Sequence, residues 1–192
     1  SINLPSVKNF NYYDNYIFKK DCFINIKNFI LIHLDEKWFE NYYYHDFDYM
    51  NLNTDNFNFF LKKIIKKFNK KIIITTGSKK IYILMKIKKK FFKYKYNNIL
   101  HHKIFGNKVS FIENTDFRDL EILVKKSKLL ISCEGAISHV SNGLDIPTIA
   151  LIQKDRKQTA LFWTQHMKKI YRVFRSDVFN LVKDIAKLKI KI

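Results

Sequence analysis

Apolar residues recur along the chain in two patterns, one typical of buried strands and the other of amphipathic helices. Residues 29 to 34 are apolar at every position except His33, which is the pattern of a short strand buried on both faces of a sheet. Between residues 57 and 68, apolar side chains return at spacings of three and four with lysines between them. This spacing predicts an amphipathic helix that packs on the sheet, with Asp55 or Asn56 as its cap.

The two patterns alternate through the rest of the chain. Further strands are predicted at residues 71–76, 109–112, 129–132 and 147–152. Further helices are predicted at residues 79–92, 116–126 and 136–143, and from Asp177 onward. This alternation predicts an α/β domain with a doubly wound, Rossmann-like parallel sheet over residues 29–192. Residues 1–28 show no sustained period, and we expect an irregular lead-in or interdomain connection there.

The loops that follow the predicted strands are the first place to look for function. Doubly wound parallel sheets bind ligands outside the carboxyl ends of their strands, where the strand order reverses. The corresponding loops span residues 33–38, 75–80, 113–116, 132–139 and 152–166.

Composition excludes several classes of protein and indicates a basic surface. Hydrophobic residues make up 47% of the 192 residues, which is too much for a disordered chain. The net charge of +19 comes from 36 Lys and Arg against 17 Asp and Glu, but only four of these cations are Arg. Because Lys, Asn, Ile, Phe and Tyr have A/T-rich codons, genome composition explains part of this charge. Residues 56–112 hold 16 Lys and no acid, which predicts a surface for phosphate-bearing ligands, anionic lipid or nucleic acid.

Cysteine usage and hydropathy bear on cellular location. Cys22 and Cys133 lie far apart, in no metal or redox spacing, which fits a reducing compartment. No apolar run approaches the roughly 20 residues of a membrane span, and no signal peptide opens the chain. We therefore expect a cytoplasmic protein.

The segment from residue 129 to residue 152 is the most informative. It reads as a buried strand, a turn of small residues at Gly135 and Ala136, a short helix with an inward His139, and a second buried strand. Small residues let the backbone approach a ligand closely, and the amides that open the following helix form an anion site. This is the pattern of a phosphate-binding turn. The alternative is an ordinary strand-to-helix turn followed by a buried core histidine.

The same segment resembles the carboxyl-terminal signature of GT-B glycosyltransferases, in particular the heptosyltransferase-like family (glycosyltransferase family 9). In that signature a strand ends in an acid, a small residue, a glycine, two variable residues and a histidine. Glu134, Gly135, Ala136 and His139 occupy those positions, with Glu in place of the more usual Asp and Ala in place of Gly. A glycine and a proline-led strand follow in step at Gly143 and Pro147.

Two weaker matches lie upstream. Family members carry a basic residue in the loop after the first strand of this half, and Lys37 stands there, followed by Trp38. Gly77 matches the family's strand-to-glycine turn. The acid that some members place after that turn to hold the donor ribose is absent from residues 78–82. The resemblance covers about residues 29 to 190, one half of a two-domain enzyme.

The resemblance implies a metal-independent transfer of a sugar from a nucleotide-diphosphate sugar to a glycan or glycolipid, such as the lipopolysaccharide core, at the inner face of the membrane. Lys37, Gly77, Glu134, Gly135, Ala136 and His139 would bind the donor, without a cofactor. The general base would come from an amino-terminal half, so the catalytic residues are unknown. The alternatives are a non-enzymatic basic domain that binds nucleic acid or an anionic surface, and a degenerate transferase-like domain that has lost activity.

Other sequence features favour ordinary structural interpretations. The adjacent His101 and His102 predict a solvated loop rather than a metal site, because neighbouring side chains diverge on regular structure. The aromatic stretch at residues 42–49 predicts a packed loop. The lysines of residues 86–95 predict a solvated helix face, although contact with anionic lipid is the alternative.

Overall fold

The computed structural model describes residues 27–39, 50, 52–77, 79–96, 99–154 and 156–192. These residues form eight strands: β1 (Phe29–Leu34), β2 (Lys71–Thr76), β3 (Tyr94–Tyr96), β4 (Ile99–Ile104), β5 (Asn107–Ile112), β6 (Leu129–Cys133), β7 (Thr148–Ile152) and β8 (Ile170–Phe174). They also form six α-helices: α1 (Phe57–Phe68), α2 (Tyr82–Phe91), α3 (Phe117–Lys126), α4 (Ala136–Gly143), α5 (Lys157–Thr164) and α6 (Val178–Lys187). Residues 1–26 of the predicted lead-in, Cys22 and the stretch 42–49 lie outside the described residues.

All eight strands belong to one sheet, in the order β3-β4-β5-β2-β1-β6-β7-β8. Six of them, from β5 to β8 in this order, pair in parallel. The remaining strands β3 and β4 add an antiparallel hairpin at the β5 edge. The chain builds outward from β1 first towards β5 and then, from β6 onward, in the other direction. The predicted doubly wound, Rossmann-like sheet is confirmed.

The strand β1 shows how the sheet divides the core into two layers. Ile30, Ile32 and Leu34 pack on the face covered by α1, α2 and α6. Phe29 and Leu31 pack on the opposite face, which α3 and α4 cover. Helix α5 covers that second face further along, over β7 and β8. Every residue of β1 is buried, which accounts for its nearly unbroken apolar run.

Two of the predicted helices begin at an aspartate that caps their first amides. The Asp116 side chain accepts a hydrogen bond from Asp119 N and begins α3, and Asp177 does the same for Phe179 N and Asn180 N at α6. The N-cap residue of α1 is Asn56, but its side chain accepts a hydrogen bond from Asn53 N and makes no capping bond to the helix. Among the described residues, no helix has the length and apolar character needed to cross a membrane.

Four elements and one loop depart from the sequence prediction. The strands β3, β4 and β8 and the helix α5 are absent from it. His101 and His102 lie in β4 rather than in a solvated loop. The His101 side chain is buried, and its Nδ1 lies 3.2 Å from Ser110 Oγ on the neighbouring strand β5.

Candidate functional site

The order of the parallel strands reverses between β1 and β6, and the candidate site lies at their carboxyl ends. Neighbouring strands that lead away in opposite directions leave a crevice at this point, which is where ligands bind in open α/β sheets. After β1 the chain enters Asp35 and a short 3-10 helix, Glu36–Trp38. After β6 it enters the turn Glu134-Gly135 and then α4. Two of the predicted loops therefore meet here.

The 3-10 helix holds Lys37 in place over the neighbouring loop. Asp35 Oδ1 accepts a hydrogen bond from Lys37 N at 3.2 Å, and the buried Trp38 indole donates to His33 O at 2.9 Å. The Lys37 ammonium reaches across to β6 and donates to Glu134 O at 2.7 Å. It lies so close to Gly135 that a Cβ on that residue would come within 3.1 Å of Lys37 Nζ. A side chain at position 135 would therefore make the ammonium shift by a few tenths of an ångström.

Helix α4 presents its amino terminus beside this ammonium. Its N-cap residue is Gly135, and among the described residues no side chain caps the helix. The first amides of any α-helix lack intrahelical partners and carry a partial positive charge. A fixed cation and a helix amino terminus side by side form an arrangement that attracts an anion such as a phosphate.

The carboxylate of Glu134 is held by Arg175, which follows β8. Arg175 Nη2 donates to Glu134 Oε1 at 2.9 Å and to Oε2 at 3.0 Å, and the arginine side chain is almost fully buried. Arg175 Nε also donates to Leu151 O at 3.3 Å, and Arg175 N donates to Ile152 O at 2.8 Å. The arginine thus ties together the carboxyl ends of β6, β7 and β8 and neutralises the acid beside the turn.

Burial shifts the pKa values of two neighbouring groups at the end of β1. It raises the pKa of Asp35 from 3.8 to about 6, against a smaller lowering by the charge of Lys37. It lowers the pKa of His33 from 6.5 to about 4, and His33 Nδ1 lies 3.1 Å from Thr75 Oγ1. Burial also raises the pKa of the Cys133 thiol. Near neutral pH His33 is uncharged, while Asp35 carries a charge that its surroundings disfavour.

These shifts give the stability two opposite pH dependences. Between pH 3.8 and about 6, Asp35 is protonated in the folded state and ionised in the unfolded state, so its contribution to the unfolding free energy falls as pH rises. Between about pH 4 and 6.5, His33 is protonated in the unfolded state and neutral in the folded state. Its contribution to the unfolding free energy therefore falls as the pH drops. The two contributions partly cancel in the wild-type protein.

We expect Asp35→Asn to remove the pH-dependent contribution of Asp35 to the unfolding free energy. At pH 7 the variant should be about 1–2 kcal/mol more stable, less than the full pKa shift implies because Asp35 keeps some contact with solvent. On acidification from pH 6.5 to 4, its unfolding free energy should fall more steeply than that of the wild type, because only His33 remains. Urea denaturation across this pH range measures both effects. Asp184→Asn, which removes a partly exposed α6 carboxylate paired with Lys187, serves as the control. Coincident profiles for Asp35→Asn and wild type would show that Asp35 is not buried as described.

The predicted site residues divide into two groups. Lys37, Glu134, Gly135 and Ala136 lie together at the carboxyl ends of β1 and β6. Gly77 is half-buried at the end of β2, the strand next to β1, with no atom within 4 Å of its Cβ position.

His139 departs from the prediction. It lies exposed on α4, with its ring stacked on that of His166 at 5.6 Å between centroids and 26° between planes. Neither the inward orientation nor the buried core histidine is correct. The stacked pair instead joins the surface of α4 to the turn that follows α5.

Asp35 and Arg175 are the site residues that sequence reasoning missed. A weak signal for Arg175 is its rarity, since only four Arg occur among 36 basic residues, and an arginine is the better partner for two carboxylate oxygens. Nothing in the sequence distinguishes Asp35 as a site residue, because a polar residue is ordinary at the end of a buried strand. Among the described residues no group of three or more His, Cys, Asp and Glu is arranged to hold a metal ion.

Comparison with solved structures finds a similar fold in two UDP-GlcNAc 2-epimerases and in ALG13. The UDP-GlcNAc 2-epimerase of Methanocaldococcus jannaschii in complex with UDP-GlcNAc and UDP matches with a TM-score of 0.52 and 17% identity, over 93% of this chain and 44% of the epimerase. The UDP-GlcNAc 2-epimerase of Neisseria meningitidis bound to UDP-GlcNAc matches with a TM-score of 0.51 and 14% identity, over 85% of this chain and 36% of the epimerase. The solution structure of ALG13 matches with a TM-score of 0.54 and 10% identity, over 83% of this chain and 84% of ALG13.

These likenesses concern the fold. The chain spans less than half the length of the two epimerases. No protein-family model matches the sequence, and no curated protein sequence matches it either. The comparisons therefore show a Rossmann-like half of a GT-B fold, and the heptosyltransferase-like family is not among what they show.

Proposed function

We propose that this chain is the donor-binding half of a metal-independent glycosyltransferase that resembles the heptosyltransferase-like family. It binds a nucleotide-diphosphate sugar, whose sugar passes to a hydroxyl of a glycan or glycolipid acceptor. The observation that carries the proposal is the position of Lys37 at the uncapped amino terminus of α4, at the reversal point of the sheet. The positive potentials of the Lys37 ammonium and of the helix amino terminus add at this point and favour the binding of a phosphate.

The chemistry of the transfer explains why such a site is useful. The leaving nucleoside diphosphate gains negative charge as its bond to the sugar breaks. Donors that are fixed before the reaction stabilise this charge without reorganising, which is the largest electrostatic contribution in many enzymes. Lys37 has three ammonium donors, of which Glu134 O accepts one. In this proposal the Lys37 ammonium and the amides of Ala136 and its neighbours contact the diphosphate.

The remaining residues position the donor. Gly135 keeps the turn open to Lys37, and the Glu134 carboxylate, tied to Arg175, fixes the turn rather than contacting phosphate. Gly77 follows β2 at the carboxyl ends of the strands, and the exposed His139 lies one turn along α4 from Gly135. In this proposal they contact the sugar or the nucleoside. The base that activates the acceptor hydroxyl belongs, in this proposal, to a second α/β half.

We expect Lys37→Ala to weaken binding of the nucleotide sugar at least tenfold, about 1.4 kcal/mol, because the ammonium contacts phosphate directly. Isothermal titration calorimetry of the intact protein with UDP-, ADP- and GDP-sugars measures this and selects the nucleotide. Lys128→Ala is the matched control, because it removes the same charge from an exposed residue. Lys128 lies just before β6, at the amino ends of the parallel strands and therefore away from the site. Equal losses in the two variants would indicate attraction by overall charge alone.

Two other outcomes separate this proposal from its alternatives. Failure of the whole nucleotide-sugar panel to bind would overturn it. Binding to unrelated duplexes with steep salt dependence, unaffected by nucleotide sugars, would favour a nucleic-acid binder instead. Where a nucleotide sugar binds, product analysis in the presence of acceptor separates transfer of the sugar from epimerisation of the donor.

A further inference from the structure

Helix α5 carries apolar side chains on its outward face as well as on the face that packs on the sheet. Ala160 and Thr164 are buried against β7 and β8. Between them, Leu161 is 40% exposed, Phe162 65% and Trp163 60%. We call these three residues the α5 patch. A helix that is apolar all round is normally covered on every side, so an exposed outer face of this kind indicates a contact surface.

The codon bias of the chain does not explain the α5 patch. A/T-rich codons enrich Lys, Ile and Phe, whereas the single tryptophan codon is rich in G. The chain has two Trp; Trp38 is 2% exposed, and Trp163 lies in the patch. The rings of Phe162 and Trp163 meet edge to face at 5.9 Å between centroids. The exposed aromatic pair is therefore a feature of this surface rather than of the composition.

The chain around the α5 patch is strongly basic. Residues 153–170 contain five Lys and Arg and one acid, Asp155. Lys157 opens α5 with its ammonium 5.9 Å from the centre of the Phe174 ring, and the exposed Lys168 follows the helix. Aromatic and aliphatic side chains flanked by cations match the interface of an anionic bilayer. There the rings lie among the headgroups, and the cations meet lipid phosphate.

The α5 patch is separate from the site at the carboxyl ends of β1 and β6. Helix α5 follows the carboxyl end of β7 and returns the chain to the amino end of β8. The patch occupies the second half of α5, so it lies towards the amino ends of the parallel strands, whereas Lys37 and Gly135 lie at their carboxyl ends. An inference about the patch therefore stands independently of the proposed function.

We propose that Leu161, Phe162 and Trp163, together with the surrounding Lys and Arg, dock this domain on an anionic lipid surface. The size of the patch favours lipid over a protein partner. Three side chains exposed to this extent present on the order of 300 Å² of apolar area. A stable protein interface needs about 800 Å² from each partner and a matched shape. A bilayer surface needs neither, and it supplies the negative charge that the flanking cations require.

Vesicle binding measured through tryptophan emission tests the proposal. Because Trp38 is buried, a change in emission reports on Trp163. At physiological salt we expect a blue shift with vesicles of phosphatidylcholine and phosphatidylglycerol, quenching when the lipids are brominated, and little response to phosphatidylcholine alone. Phe162→Ser should reduce partitioning about tenfold, because it removes a large apolar side chain from the contact. Phe117→Ser, which alters a 52% exposed Phe on α3, should leave partitioning unchanged.

Two results would overturn the proposal. Equal partitioning of Phe162→Ser, Phe117→Ser and wild type, without quenching of Trp163, would mean that the lysines alone attract the vesicles. A Trp163 emission that is already blue-shifted in buffer, and shifts to the red on dilution, would mean that a second copy of the chain covers the patch.

Discussion

Replacing Trp38 by Ala should lower the unfolding free energy by about 4 kcal/mol, the cost expected when a buried tryptophan leaves a cavity. Trp38 is 2% exposed and packs edge to face on Phe60 of α1, with 5.8 Å between ring centroids. Its indole N–H also donates to His33 O at 2.9 Å, which ties the 3-10 helix back to β1. The substitution removes the packing and the hydrogen bond together. Urea denaturation followed by circular dichroism measures the loss.

Two further variants separate the packing from the hydrogen bond. Trp38→Phe keeps most of the ring but loses the N–H donor, and we expect a loss of about 1–2 kcal/mol. Trp163→Ala removes the same residue type from an exposed site and should stay within about 0.5 kcal/mol of the wild type. Should Trp38→Ala be as harmless as Trp163→Ala, the 3-10 helix that carries Lys37 is not anchored through this ring.

Replacing Arg175 by Ala should cost about 3 kcal/mol, at the lower end for a broken buried ion pair. The lower end applies because the Glu134 side chain keeps 25% of its surface in contact with solvent, against 10% for Arg175. Without the guanidinium, Glu134 leaves a charge with no partner at the turn, and Leu151 O loses a donor. The variant should also bind nucleotide sugar more weakly, because the freed carboxylate repels phosphate.

A second substitution shows whether the cost comes from the stranded carboxylate. Adding Glu134→Gln to Arg175→Ala removes the unpaired charge and should restore about 1–2 kcal/mol of the unfolding free energy. Equilibrium unfolding of the single and double variants gives the coupling between the two residues. If the two substitutions instead add independently, Arg175 acts through its main-chain contacts and not through Glu134.

The parallel part of the sheet could be predicted because its strands are buried on both faces. Nearly continuous apolar runs such as 29–34 and 129–132, bounded by polar residues, favour strands that are buried on both faces. Asp116 and Asp177 marked helix starts because their side chains bond the first amides directly.

The edges of the sheet could not be predicted in the same way. The turn between β4 and β5 places Phe105 and Gly106 at positive φ, 49° and 75°. Hairpin turns of this kind are usually marked by Asn-Gly or Asp-Gly, and Phe-Gly gives no such signal. The edge strand β8 is only partly buried, and α5 is apolar on both faces, so neither shows a clean period.

The candidate site shows the same division between local and distant information. Lys37, Gly135 and Ala136 were predicted because each lies in a loop that directly follows a strand. Arg175 was not, because it reaches Glu134 from 41 residues away, and no spacing in the sequence reveals a contact of that separation. Site residues that directly follow a strand can be predicted from the sequence. Residues that come together only through the sheet topology can be identified only from the structure.

The most direct test of the central claim is to follow the backbone amides of ¹⁵N-labelled protein by NMR while a nucleoside diphosphate is added. The account predicts that the largest saturable shifts fall on the amides of Ala136 and Ile137, and that Lys37→Ala diminishes them. A titration that saturates while the signals of these two amides do not shift, with the shifts elsewhere on the domain, would contradict a diphosphate site at the amino terminus of α4.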